Sequence, residues 1–226
     1  MLRQVLRPFW NPCPHWEYGH TPRAGELPGR IAAELRAIHD RPRETSQEYA
    51  ADPRRLHERL FRGLTLPGQP YLAGNYRGDP RYLCLKNRVV TVQTPVGPYE
   101  TFPPVLVHAM MRRCTHELLT EMAALDVLHI DPRVDPAKKA AQVVESAAYI
   151  LGGFSVVHPF ANGNGHVSRL LVFAFLARYG LEPKSWSVHA IQGDAPRDAY
   201  GALFRAFREN DPMPLQRFLY DKIAGR

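Results

Sequence analysis

The sequence predicts a mainly α-helical domain carrying one β-hairpin. Three observations point there. Apolar residues return every three to four positions over most of the chain, one segment near residue 170 is apolar all round, and β-prone runs lie close together only at residues 82–92. At 226 residues the chain suffices for one well-cored domain. It reads as an N-terminal arm with helices packing on the core (1–62) and a main body (63–226), together one compact unit.

Residues 1–24 are rich in proline, aromatic residues and histidine without a helical period, so an irregular arm is expected. From Gly25 the period turns helical, with Ile31, Ala32, Leu35 and Ile38 on one face. A second helix is expected from about Ser46 to Arg62, broken by Leu66-Pro67-Gly68. Tyr82-Leu83-Cys84-Leu85 and Arg88-Val89-Val90-Thr91-Val92, separated by Lys86-Asn87, read as the two strands of the hairpin, and Thr94 to Pro98 closes the segment. An isolated hairpin is marginal in water, so it must lean on the helices.

Helices resume after Pro103-Pro104 and run to about Leu125, with Val105, Met111, Leu118 and Met122 inward. Asp135-Pro136 is an N-cap followed by proline in the first turn. Ala137, Ala140, Ala141, Val144, Ala148 and Leu151 mark the buried face of that helix. The run Leu170 to Leu176 belongs at the centre of a bundle, and Tyr179-Gly180 stops it. Two more helices follow, one from about Asp194 to Arg208 and one opened by Asp211-Pro212.

Composition narrows the function classes. No run approaches the roughly 18–20 apolar residues that span a bilayer, and the N-terminus lacks a secretory pattern, so a cytoplasmic protein without a membrane partner is expected. Cys13, Cys84 and Cys114 lie far apart without a C-x-x-C pair, which suits reduced, buried thiols better than a disulfide or a zinc site. Cys13, His15 and His20 lack a fourth ligand and orderly spacing. The net charge of +7 comes from scattered arginines with no nucleic-acid motif, so a basic surface or a phosphate-bearing ligand is expected rather than nucleic acid.

The chemistry concentrates in His158-Pro159-Phe160-Ala161-Asn162-Gly163-Asn164-Gly165-His166-Val167-Ser168-Arg169, between one buried helix and the central one. Gly163 and Gly165 let the backbone approach a ligand, and the N–H groups of a helix start make an anion site. Arg169, one turn into the helix, can fork onto the same anion. His158 at the loop mouth suits general-base work near neutrality. Base, anion nest and arginine on one connector describe phosphoryl chemistry.

The segment is similar to the Fic signature H-P-F-x-[D/E]-G-N-G-R-x-x-R, matching at His158, Pro159, Phe160, Gly163, Asn164, Gly165 and Arg169. The resemblance covers roughly residues 60–225. It implies a Fic-type helical bundle that takes ATP, or another nucleotide donor, with Mg²⁺, and moves AMP onto a Ser, Thr or Tyr hydroxyl of a protein substrate. His158 would take the hydroxyl proton, and Gly163, Asn164, Gly165, His166 and Arg169 would hold phosphates. Phe160 would be a core anchor, and Val90, Thr91 and Val92 would form a flap that docks the target by strand addition. Two positions depart from the pattern. Asn162 stands where the metal-holding acid is expected, which weakens any Mg²⁺ site, and His166 replaces the first arginine. The alternatives are a weakened scaffold that binds nucleotide or a partner, and a Doc-like phosphotransferase.

Many relatives are restrained by [S/T]-x-x-x-E-[G/N]. Arg205 to Asn210 matches only its Glu-Asn end, so a separate antitoxin or inhibitor chain is the other expectation. Tyr76-Arg77 either lines the site or forms a surface turn, and His108 and His116 read as solvated or core-edge residues.

Overall fold

A computed structural model of the chain describes residues 13–92, 97–186 and 197–226, with side chains from residue 200 onward in the last stretch. Its α-helices are α1 (Leu27–Asp40), α2 (Pro42–Ala51), α3 (Pro53–Phe61), the single turn α4 (Leu83–Lys86), α5 (Pro104–Ile130), α6 (Pro136–Val157), α7 (Asn164–Arg178), α8 (Arg197–Arg208) and α9 (Met213–Ala224). The strands are β1 (Thr91–Val92) and β2 (Tyr99–Glu100).

Helix α7 is the axle. Every residue of Leu170–Leu176 except Phe173 is buried, and the helix packs against α1, α2, α3 and α6. Helix α5 lies on α6 and α2, and α9 covers α6 beside α8. The Phe207 ring of α8 lies on Gly152 of α6, where any Cβ would meet it at 2.6 Å. Two apolar clusters result. One surrounds Trp16, Phe61, Phe160 and Val167 at the signature loop, and the other surrounds Met122, Val144, Phe175 and Leu219 at the far end.

The helices follow the sequence reading with local corrections. The single helix expected over 46–62 is two, because Asp52 ends α2 and accepts the Arg54 N–H (3.2 Å) to start α3 behind Pro53. Val105 is 79 % exposed rather than inward; Val107 takes the buried position. The face expected on α6 begins only at Val143 and Val144, since Ala137 and Ala141 point to solvent. Helix α6 is also long and apolar enough to cross a membrane by length and composition, at mean hydropathy 1.4, although no such stretch was expected. It packs against α5, α7, α8 and α9, with 44 % of that apolar window buried.

The hairpin needs the larger correction. Residues 83–86 form a helical turn, not a strand, with Leu85 and Lys86 N–H groups donating to the Tyr82 carbonyl (3.0 and 2.9 Å). The turn sends the adjacent Cys84 and Leu85 both inward, which strand alternation forbids. The ribbon is therefore β1 against β2, antiparallel, with Thr91 opposite Glu100 and Val92 opposite Tyr99. Residues 93–96 of its closing turn lie outside the described residues, as do 194–196 at the expected start of α8.

Cys13 and Cys84 are not reduced thiols. They form a disulfide with Cα atoms 5.0 Å apart across 71 residues, while Cys114 is free. Spacing hides this pair, because only the arm folding back over α4 brings them together.

Candidate active site

Helix α6 ends with His158 itself in the left-handed region (φ 51°, ψ 62°), its N–H donating to the Phe154 carbonyl (2.8 Å). That conformation costs a non-glycine residue energy and turns the chain sharply into the loop. It is held from behind by Arg77, which is wholly buried. Its Nε donates to the His158 carbonyl (2.6 Å), its Nη2 to the Val157 carbonyl (2.6 Å), and its main-chain N–H to the Pro159 carbonyl (2.8 Å). A cation thus closes the negative end of α6 and the carbonyls it leaves open. Arg77 is neither a surface turn nor a lining residue.

His158 is partly exposed as a residue, while its Nδ1 is sealed from water. Burial, and then the Arg77 charge, push its pKa down to about 4, with the Ser155 backbone pulling weakly the other way. The imidazole is therefore neutral at neutral pH and able to accept a proton.

The loop is stapled by its own side chains. Asn164 Oδ1 accepts the Phe160 N–H (2.8 Å) and its Nδ2 donates to the Phe160 carbonyl (2.9 Å). The carboxamide is used up, so any phosphate contact from Asn164 falls to its main-chain N–H at the start of α7. Phe160 is fully buried and stacks on His57 at 3.8 Å and 12°, the core anchor expected of it. Gly163 (φ 77°) passes so close to Phe61 that a Cβ would lie 2.3 Å from a ring carbon, and Gly165 opens to solvent. The N-terminus of α7 is thus the accessible part of the loop.

His57 was invisible to sequence reasoning. Its Nδ1 accepts the Gly74 N–H (2.8 Å), so Nε2 carries the proton and donates to the Asn162 carbonyl (3.0 Å). Burial pushes its pKa down to about 3. The unfolded chain binds this proton at about pH 6.5 and the folded chain does not, so stability is full above about 6.5 and falls as pH drops toward 3. Urea midpoints measured from pH 7 to pH 4 in His158→Asn, which removes the other depressed histidine, are expected to show a loss on the order of 3 kcal/mol from this residue. A flat profile in that window would remove His57 as its source.

Both departures from the signature are occupied by the N-terminal arm. Asn162 Nδ2 donates to the Trp16 carbonyl (2.7 Å) and to Glu17 Oε2 (3.0 Å), and its Oδ1 accepts the Gly163 N–H (2.6 Å). Tyr18 Oη meets His166 Nε2 (2.9 Å), and Arg169 Nη2 meets His166 Nδ1 (3.2 Å). Guanidinium only donates, so Nδ1 accepts and Nε2 donates to the phenol oxygen. His166, 2 % exposed, is thus engaged inside the chain at both ring nitrogens, where it positions Arg169. Burial raises the Tyr18 pKa, with the nearby Arg169 charge opposing. Trp16 is fully buried against His57 and Phe61 and donates from Nε1 to the Leu64 carbonyl (2.8 Å).

The donor set at Asn162 does not fit a resident Mg²⁺. Its carboxamide is engaged within the chain, and no group of three or more His, Cys, Asp or Glu side chains is arranged for a metal among the described residues. An Asn162→Asp change removes both donated bonds and sets a carboxylate against Glu17. It is expected to lower the melting temperature by about 5 °C, with Glu17→Gln recovering part of the loss in the double variant. Equal melting temperatures for wild type and Asn162→Asp would show that the arm does not hold the loop.

Of the expected flap residues, Thr91 and Val92 form β1, and the Val90 carbonyl accepts the N–H (3.2 Å) and Oγ1–H (2.8 Å) of Thr101. The ribbon has two strands, leaving each an outer edge without a ladder partner among the described residues. Glu209, just past the end of α8, pairs with Arg205 of that helix (2.9 Å). His15 lies 3.4 Å from Glu17, while Cys13 is taken by the disulfide.

The model of the Fic/DOC family matches residues 32–176, which includes His158, the loop and most of α7. The chain belongs to the Fic/DOC family. The match begins well upstream of residue 60, so α2, α3 and the larger part of α1 lie within it. Among solved structures, the fold is similar to a Fic domain containing signaling protein from Bacteroides thetaiotaomicron VPI-5482. The two share 19 % identity and a TM-score of 0.60, over 90 % of this chain and 69 % of that one. A Fic family protein from Desulfovibrio desulfuricans G20 gives 19 % identity and a TM-score of 0.54, over 91 % of this chain and 54 % of that one. This chain thus spans about half to two thirds of the length of those proteins. No curated protein matches the chain. Membership of the Fic/DOC family points to a transferase of nucleotidyl or other phosphate-containing groups.

Proposed function

We propose that this Fic/DOC protein transfers AMP, or another phosphate-containing group, from a nucleotide donor to a Ser, Thr or Tyr hydroxyl of a protein. The observation that carries the reading is the junction of α6 and α7. A neutral, partly exposed His158 stands beside a helix N-terminus that Gly165 leaves open to solvent, with Arg169 one turn in. In this reading the target hydroxyl oxygen attacks the donor's α-phosphorus as His158 takes the hydroxyl proton. The bond from that phosphorus to the bridging oxygen breaks, and pyrophosphate leaves from an ATP donor. The N-terminus of α7 and Arg169 neutralise the phosphates. No step runs through a metal, because the Asn162 carboxamide is spent inside the chain. The ribbon edge at Val90–Val92 receives the target segment by strand addition.

The engagement of Asn162 and His166 by the arm favours a second reading, a scaffold that binds nucleotide without turnover. Mass spectrometry of a cell lysate incubated with the protein and each of ATP, UTP and CDP-choline separates the two. A donor-dependent mass on a hydroxyl residue supports transfer and names the group. Nucleotide binding without any added mass supports the scaffold.

A further inference from the structure

A concavity lies on the flank of the bundle, among α2, α5, α6 and α7, and no signature residue lines it. Its volume is about 530 Å³, within the roughly 300–1,000 Å³ range of ligand sites. The floor is apolar, formed by Met111, Leu118, Ile150, Phe154 and Leu171. The mouth carries Glu117, Glu121 and Glu145, and no Lys, Arg or His lines any part of it, in a chain of net charge +7. Arg113 neutralises Glu117 from outside (2.7 Å). Glu121 accepts only the Ser146 hydroxyl (2.8 Å), and neither it nor Glu145 has an ion-pair partner among the described residues.

We propose that this cavity binds a small organic cation, an ammonium on an aromatic or alkyl body. The body removes apolar floor from water, while the ammonium stays at the wet mouth beside Glu121 and Glu145. An anionic ligand of the same shape meets two carboxylates with no cation to offset them, so the site discriminates by charge sign. This assignment is independent of the nucleotide chemistry at His158.

Gly153 gives a clean test. It lines the cavity, and a Cβ built there meets nothing within 4 Å, so a larger side chain grows into the space without disturbing the core. Replacing a helical glycine also favours the helix. Calorimetry on the full chain would compare tryptamine, its neutral analogue 3-ethylindole and its anionic analogue indole-3-propionate. Tryptamine is expected to bind at least tenfold more tightly than indole-3-propionate. Gly153→Leu is expected to weaken tryptamine at least tenfold with an unchanged circular dichroism spectrum, and Glu121→Gln with Glu145→Gln to erase the preference over 3-ethylindole. Cys114 also lines the cavity and is a free thiol, so bound tryptamine is expected to slow its alkylation by iodoacetamide at least fivefold in the wild-type chain. Absent tryptamine binding, equal affinity for the cation and the anion, or unprotected Cys114 at saturation would each overturn the proposal.

Discussion

Replacing His158 is expected to slow group transfer by about 10²–10⁴-fold, the usual contribution of a positioned proton acceptor. The choice of variant matters because His158 occupies the left-handed region, at φ 51°. Alanine there adds backbone strain to the loss of the ring, whereas asparagine tolerates the conformation and is no base. His158→Asn should therefore keep its melting temperature and nucleotide affinity while losing transfer, and His158→Ala should lose some stability as well. The wild-type rate carries a second signature. With the His158 pKa pushed down to about 4 by burial and the Arg77 charge, the free enzyme's base stays unprotonated far below the usual histidine range. The acid limb of kcat/KM should fall nearer pH 4 than 6.5, read at pH values where the fold persists. Transfer that survives in His158→Asn would remove His158 from the base position.

Most of the helices and the signature loop were legible in the sequence because their signals are local. Asp135-Pro136 does begin α6, and Asp211 does accept the Met213 N–H (3.1 Å) ahead of α9. What failed is non-local. Residues 82–85 carry strand-like side chains, yet Cys84 and Leu85 are both needed in the core, and only a helical turn delivers neighbours to one side. The departures at Asn162 and His166 read locally as losses of a metal ligand and a cation. In the fold they are the attachment points of Trp16, Glu17 and Tyr18, more than 140 residues away. No periodicity or spacing encodes that contact, nor the Cys13–Cys84 bond. The site was found from the residues that touch one another along the chain, and its supports were missed because they come from elsewhere.

Arg77 is the support whose loss should cost the fold most. Arginine is rarely fully buried, so an arginine at 0 % exposure reads as a surface residue from sequence alone. Burial depresses its pKa to about 10, which still leaves it charged at pH 7. The side-chain acceptors it meets are all carbonyl oxygens: His158, Val157 and, at 3.4 Å, Arg88. Truncation to alanine removes those donors together, opens a cavity behind the loop and leaves the last carbonyls of α6 buried without partners. Breaking a buried charged network of this kind costs about 3–5 kcal/mol, or a fall in melting temperature of roughly 10 °C for a chain of this size. Arg77→Lys retains the charge but not the fork, and should lie between wild type and alanine. The same pair reports on the site. With the cation gone, the second cause of the low His158 pKa disappears, so in folded Arg77→Met the His158 ring should titrate at higher pH than in wild type, while Arg77→Lys should leave it close to wild type. Calorimetry reads the stability and NMR the imidazole. Unchanged melting in Arg77→Ala would show that water can replace the guanidinium at the end of α6, and the arginine would no longer be what holds His158 in its left-handed turn.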